Sequence, residues 1–257
     1  MDTISIHGRY FKLHPPENYG YAEEKIQLDI AHTAFLICDV YGQFPDEKKD
    51  GSETTSGLEY LFSNEYEIIA NRIRPSKDYA KKAGMPCVYL GNSAPNIAIE
   101  KSWFGKQRAM NVGKWHDELF CEDNIDPLEY KFGHSEYIKY ADVIKPEEDD
   151  YYVRKWVYSG FFDTHLDSLL RNLKIDTLVC TGFAGDICLL TTMIDATYHN
   201  YRVLLLRDCT QSVEIPEVDG NDYGFTKRMI LWSECHIGYT ATSKMFINAC
   251  KEHLSHQ

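Results

Sequence analysis

The sequence predicts an α/β fold: three layers, α/β/α, around a mostly parallel open sheet. Three observations carry the prediction. Short apolar, β-branched runs alternate with stretches of helical period, which is the pattern of strand–helix crossover units. The runs are apolar at consecutive positions, as suits strands covered on both faces. At 257 residues, 44% of them hydrophobic, the chain is long enough to bury one such core without disulfide staples.

The first strand is read in "TAFLICD" (Thr33 to Asp39). A helical period follows from roughly Leu58 to Ala83; Pro75 breaks or kinks it and Gly84 is placed to end it. "PCVYLG" (Pro86 to Gly91) is the second strand. From Gly91 to about Asp150 the chain holds "SAPN", "KSWFGKQ" and "KWHDELF" without a clean period, an irregular excursion placed to cover a site at the sheet's edge. The four acids of "KPEEDDYY" that close it read as a solvated loop. Then come a helix over Thr164 to Leu173, the strand "DTLVCTG" (Asp176 to Gly182), a helix over Asp186 to His199, the strand "RVLLLRD" (Arg202 to Asp208), and helices over Phe225 to Cys235 and Thr242 to His253. There is neither an internal repeat nor an interdomain linker, so residues 1–257 are expected to form one domain.

Composition narrows the function. A net charge of -12 with no basic cluster argues against nucleic acid and against anionic membrane surfaces as partners. Eight cysteines scattered at 38, 87, 121, 180, 188, 209, 235 and 250, with no CxxC, read as reduced thiols. The start "DTISIHGRYFKLHPP" lacks a basic segment followed by an apolar one, and no eighteen apolar residues run together. A cytoplasmic address is the expectation.

Ligands of open α/β sheets gather beyond the carboxyl ends of the strands. Asp39, Lys155 in "YYVRKWVYSGFF", and Cys188 in "TGFAGDIC" fall near such ends. Each has a plainer reading: a turn residue with Gly42, a surface lysine, a small buried hydrophobe. Cys188 has a further argument. With a helix starting near Gly185 or Asp186, its thiol lies in the first turn, where unpaired N–H groups and the positive dipole end favour a thiolate and hold an oxyanion. The small residues Gly182, Ala184 and Gly185 let a substrate carbonyl approach the backbone. Such a nucleophile needs a proton acceptor that later donates, which suits Asp39, and a cation to hold that acid, which suits Lys155.

These residues, within "LICDVYGQF", "RKWVYSGFF" and "CTGFAGDICLLTTMIDA", resemble the isochorismatase-like cysteine hydrolases over nearly the whole chain. That family includes nicotinamidases, N-carbamoylsarcosine amidohydrolase, biuret hydrolase and ureidoacrylate amidohydrolase. The resemblance implies Asp39, Lys155 and Cys188 as a triad, a cis peptide at Phe183-Ala184, and an oxyanion hole made by the backbone amides of Ala184 and Cys188. "YSGFFDTHLDSLLRN" is most similar to the ureidoacrylate amidohydrolase branch, which implies Asn92 and Tyr158 at the substrate, with Phe183, Tyr41 and Phe44 as further binding residues. Four positions depart from the usual pattern: "DVYGQF" replaces "DMQNDF", putting Tyr41 and Gln43 in place of the usual side chains; Ala94 stands where an aromatic is usual; and Gly185 stands where a Thr is usual.

The expected activity is cleavage of a small linear amide, ureido or carbamoyl C–N bond through a thioester, with a ureidoacrylate-like substrate favoured. A nicotinamidase-like amidase acting on a cyclic carboxamide, a catalytically silent binding protein and vinyl ether hydrolysis stay open as alternatives. No cofactor is expected. No metal is expected either: His116 and His134 lack the spacing of the nicotinamidase metal site, Asp163-Thr-His165 reads as a helix start, and His253 and His256 as an exposed tail. The family commonly assembles as dimers or tetramers, so a homodimer or homotetramer is implied, with Trp232 either serving that contact or packing in the core.

Overall fold

The four apolar runs become neighbouring strands of one eight-stranded sheet in the computed structural model, which describes residues 2–41, 64–92, 101–112, 140–215, 218 and 222–256. In chain order the strands are β1 (Thr3–Lys12), β2 (Gly20–Asp29), β3 (Thr33–Cys38), β4 (Cys87–Asn92), β5 (Tyr151–Lys155), β6 (Thr177–Gly182), β7 (Arg202–Leu206) and β8 (Tyr239–Ala241). They lie side by side as β2-β1-β8-β7-β6-β3-β4-β5. All neighbours from β8 to β5 are parallel, while β1 runs antiparallel to both β2 and β8. The described helices are α1 (Glu65–Ile68), joined through a π-turn (Ile69–Ile73) to α2 (Arg74–Ala83), then α3 (Trp103–Val112), α4 (Leu166–Asn172), α5 (Leu190–Tyr198), α6 (Gly224–His236) and α7 (Ser243–Ser255).

Consecutive apolar residues on a strand point to opposite faces, so β3 feeds two cores at once. Phe35 and Ile37 join Ile69, Ile73 and Phe246 of the π-turn and α7 on one face. Ala34, Leu36 and Cys38 join Leu166, Met193 and Met229 of α4, α5 and α6 on the other. Each such large aliphatic side chain, wholly withdrawn from water, contributes about 1.5–3 kcal/mol. Helix boundaries follow local chemistry. Pro75 falls just after the π-turn in a run that stays helical through Ile73 and Arg74, so the wider turn takes up the break that its missing N–H makes. Gly84 closes α2 at φ 95, a left-handed conformation in which its N–H and that of Met85 reach back to Lys81 and Ala80.

The structure departs from the sequence reading in several places. The segment before residue 30 is a ten-residue-strand hairpin added to the sheet; its signal was the alternation of Ile4 and Ile6 and of Ile26 and Leu28, all buried. Lys155 closes a further strand, β5, and α3 lies within the excursion. The acids of "KPEEDDYY" do not all face water. Asp150 has its side chain 1% exposed and pairs with Lys77 at 2.8 Å and Lys81 at 3.0 Å, because α2 brings two lysines down onto that loop. His253 is a helical residue whose Nε2 lies 3.2 Å from Asp2, not part of a frayed tail. Phe44, Gln43, His116, His134 and the 58–63 part of the expected first helix lie outside the described residues.

Candidate active site

Strand register brings the carboxyl ends of the central strands level. Cys38 pairs with Leu90 of β4 and with Gly182 of β6, while Asn92 pairs with Lys155 of β5. Asp39 follows β3 in a left-handed conformation, φ 48, uncommon for a residue with a side chain and a feature that clusters at functional sites. Its own N–H donates to Leu90 O at 3.0 Å.

The cysteine turn is set by a close approach. Gly182 has φ 110, and a Cβ there would lie 1.9 Å from the carbonyl oxygen of Cys38, so glycine is required. That same carbonyl accepts the Phe183 N–H at 2.8 Å. The Phe183-Ala184 peptide is cis. Beyond it a π-turn (Gly185–Leu189) carries Cys188 into α5. The Ala184 N–H finds no acceptor among the described residues.

A strap formed by residues 209–213 holds this turn from the β7 side. Gly182 N donates to Cys209 O at 2.9 Å and Gly185 N to Gln211 O at 2.8 Å, and Asp186 Oδ1 accepts from Val213 N at 2.9 Å. The strap is braced in turn by α6: Ser212 N donates to Thr226 Oγ1, whose hydroxyl donates to Glu214. On the other side, Thr192 of α5 accepts from Gly160 N at 2.9 Å and Asp195 from the Ser159 hydroxyl at 2.5 Å. The segment after Lys155 is thereby tied to the helix that carries the cysteine.

Asp39, Lys155 and Cys188 come together at the floor of this arrangement. Lys155 Nζ lies 2.8 Å from Asp39 Oδ2, with the lysine side chain fully buried and the aspartate's 5% exposed. Lys155 is not the surface lysine of the plainer reading. Burial works against its ammonium, but the negative charge of Asp39 beside it outweighs that and raises its pKa. The Cys188 thiol meets both partners; burial pushes it up to about 12, against the pull of Lys155 and with the push of Asp39. Desolvation of the sulfur, in a residue 8% exposed, outweighs the pull of the ammonium.

Of the remaining sequence-predicted residues, Asn92 ends β4 and its side chain accepts a hydrogen bond from Lys155. Tyr41 is buried, its hydroxyl donating to Asp39 Oδ1 at 2.7 Å. Tyr158 sits at the surface, its ring edge-on to Phe104 of α3 at 5.3 Å. Phe183 is buried among the apolar side chains of the π-turn and α7 face. The sequence reading missed Tyr140, whose ring stacks on Tyr41 at the end of the excursion. It also missed Glu65, a buried acid at the start of α1 that burial and Asp39 push up to about 8. An acid at the first position of an amphipathic helix gave no signal of burial. Thr164 accepts from Leu166 N at the start of α4, as expected for "DTH". Among the described residues no three metal-binding side chains converge, and no helix is long and apolar enough to cross a membrane.

The isochorismatase domain matches residues 33–223 of the chain. The ureidoacrylate amidohydrolase RutB of Stutzerimonas stutzeri is 29% identical over 192 residues, 73% of each chain. That of Methylobacterium radiotolerans is 30% identical over 196 residues, 73% of this chain and 70% of its own. Among solved structures, a cysteine hydrolase from Pseudomonas syringae pv. phaseolicola 1448A superposes with a TM-score of 0.67 at 20% identity, covering 88% of this chain and 95% of its own. An isochorismatase from Pseudomonas putida KT2440 superposes at 0.56 and 19% identity, covering 84% and 91%. With this domain spanning most of the chain and the same α/β fold in the solved relatives, the chain belongs to the isochorismatase family and is a hydrolase of that fold.

Proposed function

We propose that this hydrolase is a cysteine-dependent amidohydrolase that cleaves a small linear amide, ureido or carbamoyl C–N bond through a thioester, with a ureidoacrylate-like substrate. The observation that carries the reading is the buried Asp39–Lys155 pair, 2.8 Å apart, with the Cys188 thiol against both. The similarity to ureidoacrylate amidohydrolases supports the substrate class.

A neutral thiol in a dry site needs its proton removed as it attacks. Asp39 takes that proton while the sulfur adds to the substrate carbonyl carbon, so no free thiolate accumulates. The amides of Ala184 and Cys188 hold the oxyanion, and Lys155 offsets the negative charge shared between acid and sulfur. When the tetrahedral species collapses, the C–N bond breaks, the nitrogen takes the proton from Asp39, and ammonia or an amine departs. Water, deprotonated by Asp39, then adds to the thioester; the C–S bond breaks and the sulfur recovers its proton. In this reading the enzyme acts in the cytoplasm as a homodimer or homotetramer, for which Trp232, 40% exposed on α6, offers apolar surface.

The test is ammonia release from ureidoacrylate, N-carbamoyl amino acids, biuret and nicotinamide side by side, with acid-quenched mass spectrometry of the Cys188 peptide. The reading requires turnover of a linear substrate, an acyl adduct on Cys188, and loss of both in Cys188→Ala with the fold retained. Turnover undiminished in Cys188→Ala would refute it, and turnover of nicotinamide alone would move the substrate to a cyclic carboxamide.

A further inference from the structure

Four residues close a ring of contacts around the acid of the triad. The Tyr41 hydroxyl donates to Asp39 Oδ1 at 2.7 Å and accepts from the Asn92 N–H at 2.5 Å. The Asn92 side chain accepts from Lys155, whose ammonium returns to Asp39 Oδ2 at 2.8 Å. Tyr41 is 8% exposed, its backbone bridges to Tyr140, and the two rings stack with centroids 6.1 Å apart, so the phenol is held in place. The two oxygens of Asp39 thus meet different groups. Oδ1 is occupied by the phenol; Oδ2 lies beside the ammonium and accepts no directed hydrogen bond among the described residues.

We infer that Tyr41 is a positioning residue for amide hydrolysis: it locks the Asp39 carboxylate in one orientation, keeps Oδ2 as the oxygen that exchanges a proton with Cys188, and sets how tightly that proton is held. This rests on the reaction proposed above. A donor on Oδ1 favours the carboxylate over the acid, so Asp39 is a weaker base toward the thiol and a stronger acid toward the leaving nitrogen. Tyr41 stays a donor because burial and the adjacent Asp39 charge hold its phenol well above its ordinary range.

The titratable and charged groups facing Asp39 come from every element around it. Cys38 and Tyr41 lie on its own segment, Glu65 on α1, Tyr140 on the stretch before β5, Lys155 on β5 and Cys188 on the turn after β6. Burial pushes up Cys38, Tyr140 and Cys188, so they stay neutral near pH 7, while Lys155 stays charged. Glu65, pushed up to about 8, titrates in the working range and needs its own control.

The test compares wild type, Tyr41→Phe, and the full chain with 2,3-difluorotyrosine at position 41, each also in a Glu65→Gln background. Two readouts are taken against pH: kcat/KM for the best linear amide, and the rate of Cys188 alkylation by iodoacetamide, which needs no substrate. Tyr41→Phe should move the acid limb of both profiles up by about one pH unit, the worth of a hydrogen bond to a charged group, and lower kcat about tenfold with KM changed less than about threefold. The fluorinated phenol, nearly the same shape but a stronger donor, should move the limb down. Both shifts should persist with Glu65→Gln. Profiles unmoved in both variants, or moved the same way in both, overturn the inference. A wild type that hydrolyses no amide removes the proposed reaction, while alkylation still decides whether Tyr41 governs the proton on Asp39.

Discussion

Lys155 and Asp39 are each other's counter-ion: the ammonium lies 2.8 Å from the carboxylate, and neither side chain is more than 5% exposed. Removing one partner strands the other's charge where water cannot solvate it, whereas removing both leaves a site that neutral side chains fill at little cost.

Lys155→Met should therefore destabilise the fold by about 3–5 kcal/mol near neutral pH, and Asp39→Asn in the same chain should restore much of that. Because the folded lysine's pKa is raised above 10.5, its contribution is fully present below that value and is lost as pH rises through the higher folded value. Denaturant midpoints of wild type and Lys155→Met should stay apart up to about pH 10 and converge above it. A gap that widens on the alkaline side would contradict the pairing.

Gly182→Ala should prevent the cysteine turn from closing. The new methyl would meet the Cys38 carbonyl at 1.9 Å, at a φ of 110 that side chains rarely adopt. A loss of about 3 kcal/mol or more is expected, read by thermal unfolding. Gly84→Ala is the control: a methyl there would meet only the flexible end of Ile30, at 3.7 Å, so only the backbone penalty of about 1 kcal/mol applies.

Asp186 anchors the cysteine turn, whose amides are the proposed oxyanion hole, to the strap through Val213 N at 2.9 Å. Asp186→Ala should lower kcat by about tenfold, since a small misplacement of the oxyanion amides is costly. Asp186→Asn keeps a carbonyl acceptor and should hold kcat within about threefold. Steady-state kinetics on the two variants decide it: equal losses would mean that the charge, not the acceptor, matters.

The acid-rich loop should show unequal sensitivity. Asp150→Asn removes the buried partner of Lys77, whose side chain is 2% exposed, leaving it only the solvent-facing Glu147 at 2.9 Å, and should cost about 2 kcal/mol. Asp149→Asn, with its side chain 72% exposed, should cost less than about 1 kcal/mol. Urea titrations of the two variants give the comparison.

Much of the central sheet was legible because both-face burial writes a local pattern: "TAFLIC", "CVYLG", "TLVCTG" and "RVLLL" are apolar at consecutive positions, and β3, β4, β6 and β7 follow them within a residue or two. The hairpin of β1 and β2 was missed because it buries one face only, leaving a weak alternation broken by Arg9, Glu23, Glu24 and Lys25. "YYVRK" was hidden in the same way, as an edge strand with two exposed tyrosines.

The sequence by itself determined the α/β class and the glycine-and-alanine turn before Cys188, since these are properties of residue type and of spacing over a few positions; Asp39 and Lys155 were joined to that turn only by family resemblance. Only the tertiary structure decided that Lys155 is buried against Asp39, that Tyr41 holds one oxygen of that acid, and that Asp150 is an interior charge. Such facts depend on groups far apart in the chain, and on a balance between desolvation and pairing that exists only once water has been removed.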